Sequence, residues 1–175
     1  NGDGISNLKK IFSALPSLRE ITLDLGNMPY NDETHVQNLI NSFELCTSAQ
    51  KINILFDFCI QLSDKTLKFL SSKISSLSNL THLTLSFHGC HRITNEGFVL
   101  LFLALWALPN LLCLSLDFRF CQLLDDSALD QLQKKLESVN HQVDTQLSIA
   151  VNNTNIKPST FQDFKKIFGK FWKNF

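Results

Sequence analysis

Cys59, Cys90 and Cys121 are soft sulfur groups spaced 31 residues apart, and His88 and His91 flank the middle one. Residues of these types can hold a transition metal, and imidazoles can move protons near neutral pH. The spacing argues against both uses. A zinc site gathers four ligands from short local spacings, whereas these thiols arrive one per 31 residues. Each is expected instead to be a small buried group at a turn, its S–H donating to a loop carbonyl. His88 and His91 are read as solvated turn residues. The chain holds no G-x-S-x-G turn, no phosphate-cradling glycine loop and no H-E-x-x-H. No cofactor, no metal and no enzymatic activity is expected of it. Cys46 takes a helix position filled elsewhere by Leu15, Leu77 and Leu108. Cys113 aligns with Glu20, Lys51 and His82 at an outward strand position, so its thiol is expected to be the exposed one.

The elements that carry these residues recur. Ile21, Ile52, Leu83, Leu114 and Leu147 are separated by 31, 31, 31 and 33 positions. Around each the apolar residues alternate: Ile52, Ile54, Phe56; Leu83, Leu85, Phe87; Leu114, Leu116, Phe118; Leu147, Ile149, Val151. Residues two apart share one face of a strand, so each run predicts a short strand with one buried side. The other half of each copy has helical spacing, as in Phe98, Leu101, Leu105, Leu108 and in Leu129, Leu132, Leu136, Val139. Ile5 to Leu15, Val36 to Cys46, Leu67 to Leu77 and Phe161 to Phe171 repeat the stripe. Six helices separated by five strands are predicted. One strand and one helix per step stack into a solenoid, an architecture that presents surface to partners.

The joints read Leu85-x-Phe87-x-x-Cys90-x-x-Ile93-Thr94-Asn95, Ile54-x-Phe56-x-x-Cys59-x-x-Leu62-Ser63-Asp64 and Leu116-x-Phe118-x-x-Cys121-x-x-Leu124-Asp125-Asp126. This pattern resembles the leucine-rich repeat family, closest to its cysteine-containing, ribonuclease-inhibitor-like branch, and the resemblance covers essentially the whole chain. It implies an α/β fold: a right-handed βα superhelix of about five and a half repeats of 31–33 residues, with a parallel sheet on the concave face and α-helices on the convex face. Met28 and Thr154 stand at the cysteine position of the first and fifth copies. A 31-residue step exceeds the roughly 20–29 of most such repeats; a full α-helix of about three turns accounts for the excess. Ser63, Thr94 or Asn95, and Asp125 or Asp126 are natural N-caps.

Charge sums to zero and 44% of residues are apolar, with no low-complexity tract, so residues 1–175 are read as one leucine-rich repeat domain. Balanced charge gives no reason to expect nucleic acid. Five cysteines without a paired pattern point to the cytoplasm or another reducing compartment. Asn1-Gly2-Asp3-Gly4-Ile5 aligns with Thr94-Asn95-Glu96-Gly97-Phe98, and Phe175 falls 32 residues after Val143 in the register of Leu80 and Leu111. The chain is therefore expected to be a section of a longer array or of a larger protein. Asn79-Leu80-Thr81 and Asn152-Asn153-Thr154 match the glycosylation acceptor pattern, which is too short to carry weight.

Three candidate binding surfaces follow. From Phe98 to Leu108 every residue of the fourth helix is apolar, although the core stripe needs only Phe98, Leu101, Leu105 and Leu108. Val99, Leu100, Phe102, Leu103 and Trp106 stand where other copies carry polar residues, and Phe69 and Ile40 extend the area. A helix apolar all round must be covered on both sides, and 11 residues are too few for a bilayer, which needs about 20. A protein partner on the convex face is the expected cover. Family analogy adds the concave face, more weakly, through Glu20, Asp24, Lys51, Asp57, His82, His88, Asp117 and Arg119. Trp172 and Phe175 are candidates at the open C-terminal end. The expected function is a non-catalytic scaffold that docks other proteins, within a larger assembly. The alternative is the substrate-recognition part of a multidomain regulatory protein, such as a ubiquitin-ligase receptor or a kinase-linked sensor. Membrane contact and a small-molecule substrate are not expected.

Overall fold

The computed structural model describes residues 2–27, 33–136, 145–169 and 171–172, with side chains from residue 7 onward except that of residue 33. Strands and helices alternate as the two periodicities predict. β1 (Glu20–Asp24), β2 (Lys51–Leu55), β3 (His82–Ser86), β4 (Cys113–Asp117) and β5 (Gln146–Ala150) form one parallel sheet in sequence order. Helices α1 (Gly2–Ala14), α2 (Glu33–Ser42), α3 (Asp64–Ile74), α4 (Asn95–Trp106), α5 (Asp126–Leu136) and α6 (Pro158–Ile167) alternate with them, and a 3-10 turn at Phe43–Leu45 extends α2.

Ile21, Ile52, Leu83, Leu114 and Leu147 pair one with the next across all five strands. Each points to the helix side and is buried, while the intervening residues, buried Ser86 apart, stay half-buried or exposed. Burying such a side chain stabilises by about 1.5–3 kcal/mol, so slipping any strand by one residue would forfeit that gain at two positions at once. Behind the strand ends Phe56, Phe87 and Phe118 stack at 5.3 and 5.1 Å, and Phe98 of α4 meets Phe118 edge-on at 4.9 Å.

Each strand leaves through a turn with one left-handed residue: Asn27 (φ 54°), Phe58 (57°), Gly89 (71°), Phe120 (61°) and Asn153 (60°). Glycine and asparagine take this conformation readily, and phenylalanine does so at a cost. At Gly89 a Cβ would stand 2.6 Å from Cδ1 of Phe58, so the ring lies where a side chain would have to go. Just past the turn, the Cys59, Cys90 and Cys121 thiols donate to the carbonyls of Leu25, Phe56 and Phe87 at 3.1, 3.2 and 3.1 Å. Every one of these bonds crosses from one copy to the copy before it. Thr154, at the cysteine position of the fifth copy, donates instead to Val151 within its own turn, at 2.7 Å. Met28 lies outside the described residues.

Helix starts are tied across copies as well. The Asp64 carboxylate accepts from the Thr94 amide at 2.9 Å and from its hydroxyl at 2.6 Å. Asn95 and Asp125 exchange two bonds of 2.7 and 3.0 Å, and Asp126 accepts from the Lys157 amide at 2.8 Å. Of the expected caps, Thr94 accepts from Glu96 N–H at 3.3 Å and Asp125 from Ser127 N–H at 2.9 Å. Ser63 holds the α3 N-cap position but its side chain makes no capping hydrogen bond.

The last copy departs from the expected step. Phe164 and Phe168 are buried as the stripe predicts, but α6 ends at Ile167 and the chain turns back to the sheet early. The Phe171 carbonyl accepts from Leu147 N–H at 2.7 Å, and Trp172 bridges Leu147 in parallel, 25 positions along instead of 31. Phe175, and with it the expected 32-residue register, lies outside the described residues.

Candidate partner-binding surfaces

Four of the seven residues of the expected α4 patch are buried within the chain itself. Phe102 is 0% exposed, Trp106 3%, and Val99 and Ile40 are buried too. The cover expected from a partner comes from α6 and the turn after it. Phe168 meets Trp106 edge-on at 5.3 Å and Phe102 at 6.0 Å, and Phe171 meets Trp106 at 5.8 Å. Phe102 and Trp106 stack on one another at 5.6 Å. Leu100, Leu103 and Phe69 remain half-buried, with the Lys73 ammonium 5.5 Å from the Phe69 ring. What reads in sequence as an exposed site is an enlarged core. The matching signal was present: surplus aromatics on α4 answer surplus aromatics at Phe168 and Phe171.

The free face of the sheet keeps its polar character and is ordered in rows. Glu20, Lys51, His82, Cys113 and Gln146 form the first row, Asp24, Leu55, Ser86, Asp117 and Ala150 a later one. Lys51 bonds Glu20 at 2.8 Å, and this bond together with the ammonium charge holds the Glu20 carboxyl below its ordinary range. Arg119 grips Asp117 with three bonds of 2.6–3.0 Å, which raise its own pKa further. Asp57 accepts from the Ser86 hydroxyl. In the row between these two, on β2, the Asn53 side-chain oxygen is shielded from solvent and has no hydrogen-bond partner among the described residues. Asp24 and His82 are exposed, and the His82 ring lies 2.9 Å from the Thr81 hydroxyl.

His88 belongs to a different feature. Its ring lies between Phe58, at 4.8 Å, and Phe120, at 5.0 Å, forming a short aromatic stack along the turns that follow β2, β3 and β4. Phe58 and Phe120 remain 48% and 39% exposed, and Ile60 and Leu123 lie exposed nearby in sequence. Sequence reasoning passed over these phenylalanines. Their signal was positional: they occupy the 31-step positions where Asn27, Gly89 and Asn153 stand. His91 contacts the Phe120 carbonyl through Nδ1 at 3.1 Å and does not join a cluster with Cys90. No family model matches the chain, and no curated protein matches it.

The thiols are committed to packing. Burial pushes the Cys46 thiol up to about 11 and the Cys121 thiol up to about 12, and raises that of Cys90 further. Each is thus protonated and inert at neutral pH. Cys113, expected to be the accessible thiol, is half-buried while the other four are buried. Among the described residues no three of the His, Cys, Asp and Glu side chains come together in a metal-binding group, and no helix is long and apolar enough to cross a membrane. The Asn79 side-chain nitrogen, which glycosylation would modify, donates to the Thr47 carbonyl at 2.8 Å.

Proposed function

We propose that this chain is a non-catalytic leucine-rich repeat scaffold whose strand face docks other proteins, with the strands on the inner side of a right-handed solenoid. Three cross-copy thiol bonds at identical positions support the family reading, since they give the motif's cysteine a structural task. The observation that carries the docking reading is the sheet's free face. Five strands in register hold Glu20, Lys51 and Asp117 in fixed rows, with Asp57 and Arg119 bound just past the strand ends to Ser86 and Asp117, and the Asn53 oxygen is unpartnered among the described residues. A rigid lattice of this kind offers paired charges that a partner can engage without ordering them first. Burial of Val99, Phe102, Trp106 and Ile40 within the chain favours the sheet over α4 as the docking surface.

The test is partner capture by chemical cross-linking, comparing the natural chain with a Lys51→Glu, Arg119→Glu double variant and with Lys68→Glu on the helix side. Capture falling about tenfold in the first, a loss on the order of 1.4 kcal/mol, and unchanged in the second supports the reading. Equal capture by all three removes it.

A further inference from the structure

The stack of Phe58, His88 and Phe120 is held outside the core. Copies one, three and five place Asn27, Gly89 and Asn153 at the left-handed turn position, residues that take this conformation readily. Copies two and four place phenylalanine there, at a cost, and leave both rings exposed. Among the described residues each of these phenylalanines meets one ring, that of His88. The third copy makes the room, since Gly89 has no side chain where the Phe58 ring lies. Ile60 and Leu123, in the same two turns, are exposed as well. Rings held out in this way cost backbone strain and gain little burial, the pattern of a surface kept for contact.

Charge is divided along the stack. The strand rows continue past the sheet, so Asp57, His88 and Arg119 stand side by side, fixed by the bonds from Phe58 N–H to the His88 carbonyl and from Gly89 N–H to the Arg119 carbonyl. At the Phe120 end the Arg119 guanidinium is taken up by Asp117 in three bonds. At the Phe58 end Asp57 accepts from the Ser86 hydroxyl and Asp24 from the Gly26 amide, and neither carboxylate meets a cation among the described residues. The two are neighbours: a Cβ on Gly26 would stand 3.2 Å from the Asp24 carboxylate and 3.5 Å from the Asp57 Cβ. Residues 28–32 hold no lysine or arginine to pair with them. Arg92, in the turn of the third copy, is engaged by Gln61 at 3.2 Å. The Phe58 end is therefore acidic and the Phe120 end neutral.

We infer that the stack seats an arginine-bearing segment of another protein. A guanidinium can fork onto a carboxylate and lie against a ring at the same time, which suits Asp57 beside Phe58; the ammonium of lysine is a point charge without that planar fit. The same segment carries an apolar side chain for Phe120 and Leu123, where the charge is already paired. Phe58 and Phe120 belong to turns two strands apart, so the arginine and the apolar side chain are about 10 Å from one another. Carboxylates without a cation repel phosphate, which sets this stack apart from the ring platforms on which nucleic-acid bases lie. The inference rests on the reading of the chain as a protein-docking scaffold and names what the rim of its strand face takes.

A randomised-peptide display library selected on the folded protein tests it. Enriched peptides should share an arginine and an aromatic or aliphatic residue. The best of them should weaken about tenfold in a Phe58→Asn, Phe120→Asn double variant and about fivefold in Asp57→Asn, whose side-chain oxygen still accepts from Ser86. Lysine in place of the peptide's arginine should weaken it as well. The double variant carries the residue that copies one and five have at this position, so it should melt no lower than the natural chain. A melting point lower by more than about 5 °C would show that the rings hold the fold and overturn the proposal. So would unchanged affinity in that variant, enrichment of acidic or uncharged peptides, an empty selection, or binding of a single-stranded RNA oligonucleotide at the stack. Peptides indifferent to the double variant and lost on Lys51→Glu would overturn the site on the stack while leaving the sheet face standing as a docking surface.

Discussion

Truncating Trp106 to alanine is the most direct test of where the apolar surplus of α4 goes. The indole is 3% exposed and in contact with Phe102, Phe168 and Phe171 at 5.6, 5.3 and 5.8 Å. A buried tryptophan removes some 150–250 Å² from water, which at about 25 cal/mol/Å² corresponds to roughly 4–6 kcal/mol. Partial collapse of the cavity brings the expected cost to about 4 kcal/mol, within the range for Trp→Ala in cores. With an m-value near 2 kcal/mol/M, the urea midpoint followed by far-ultraviolet circular dichroism should fall by about 2 M. Phe168→Ala should cost a comparable amount, and the double variant less than the sum by about 1 kcal/mol, because both remove the same ring contact. Leu103→Glu, at a half-buried position, should cost far less. A midpoint lowered by no more than about 0.3 M in Trp106→Ala, with additive behaviour alongside Phe168→Ala, would refute the argument and return α4 to the surface.

Gly89→Ala should destabilise by about 1–2 kcal/mol, since φ is +71° and the new Cβ meets Phe58; thermal melting reads it. Asp64→Ala removes both bonds to Thr94 and should cost about 1–2 kcal/mol in chemical unfolding. Stability should also fall on the alkaline side. The Cys121 pKa is raised in the fold from 9.0 to about 12, so its contribution is complete below pH 9 and is lost between pH 9 and 12, at about 1.4 kcal/mol per pH unit; unfolding at stepped pH measures it. The acid arm has the opposite sign. Asp125, held below its ordinary 3.8 by bonds from Ser127 and Asn95, stabilises above that value and ceases to do so as pH falls beneath it. Among the thiols Cys113 should react first with a disulfide reagent, and Cys90 only on unfolding, as mass mapping of the labelled peptides would show.

The strand register was legible because it is doubly determined. Ile52, Leu83 and Leu114 must face one core, and the 31-step admits one alignment that puts them side by side. The thiol role was legible for a related reason: a group recurring once per copy at a turn can meet only its neighbouring copy, as Cys90 meets Phe56. Neither argument reaches the helix side. There the alignment says which residues are unusual and not what lies over them, so Phe102 and Trp106 read as exposed when Phe168 covers both. Thr154 marks the place where the rule weakens. Its hydroxyl turns inward to Val151 and makes no bond to the fourth copy among the described residues.

By ending α6 at Ile167 and returning to Leu147 after 25 positions, the chain brings Phe168 and Phe171 under α4 and sets Trp172 beside the sheet. A variant that loosens the aromatic contact, such as Phe168→Ala, should alter amide exchange at Leu147 as well as global stability, because the Phe171 carbonyl that protects it is held in place by that contact. Unchanged exchange at Leu147 in a folded Phe168→Ala protein would separate the two effects.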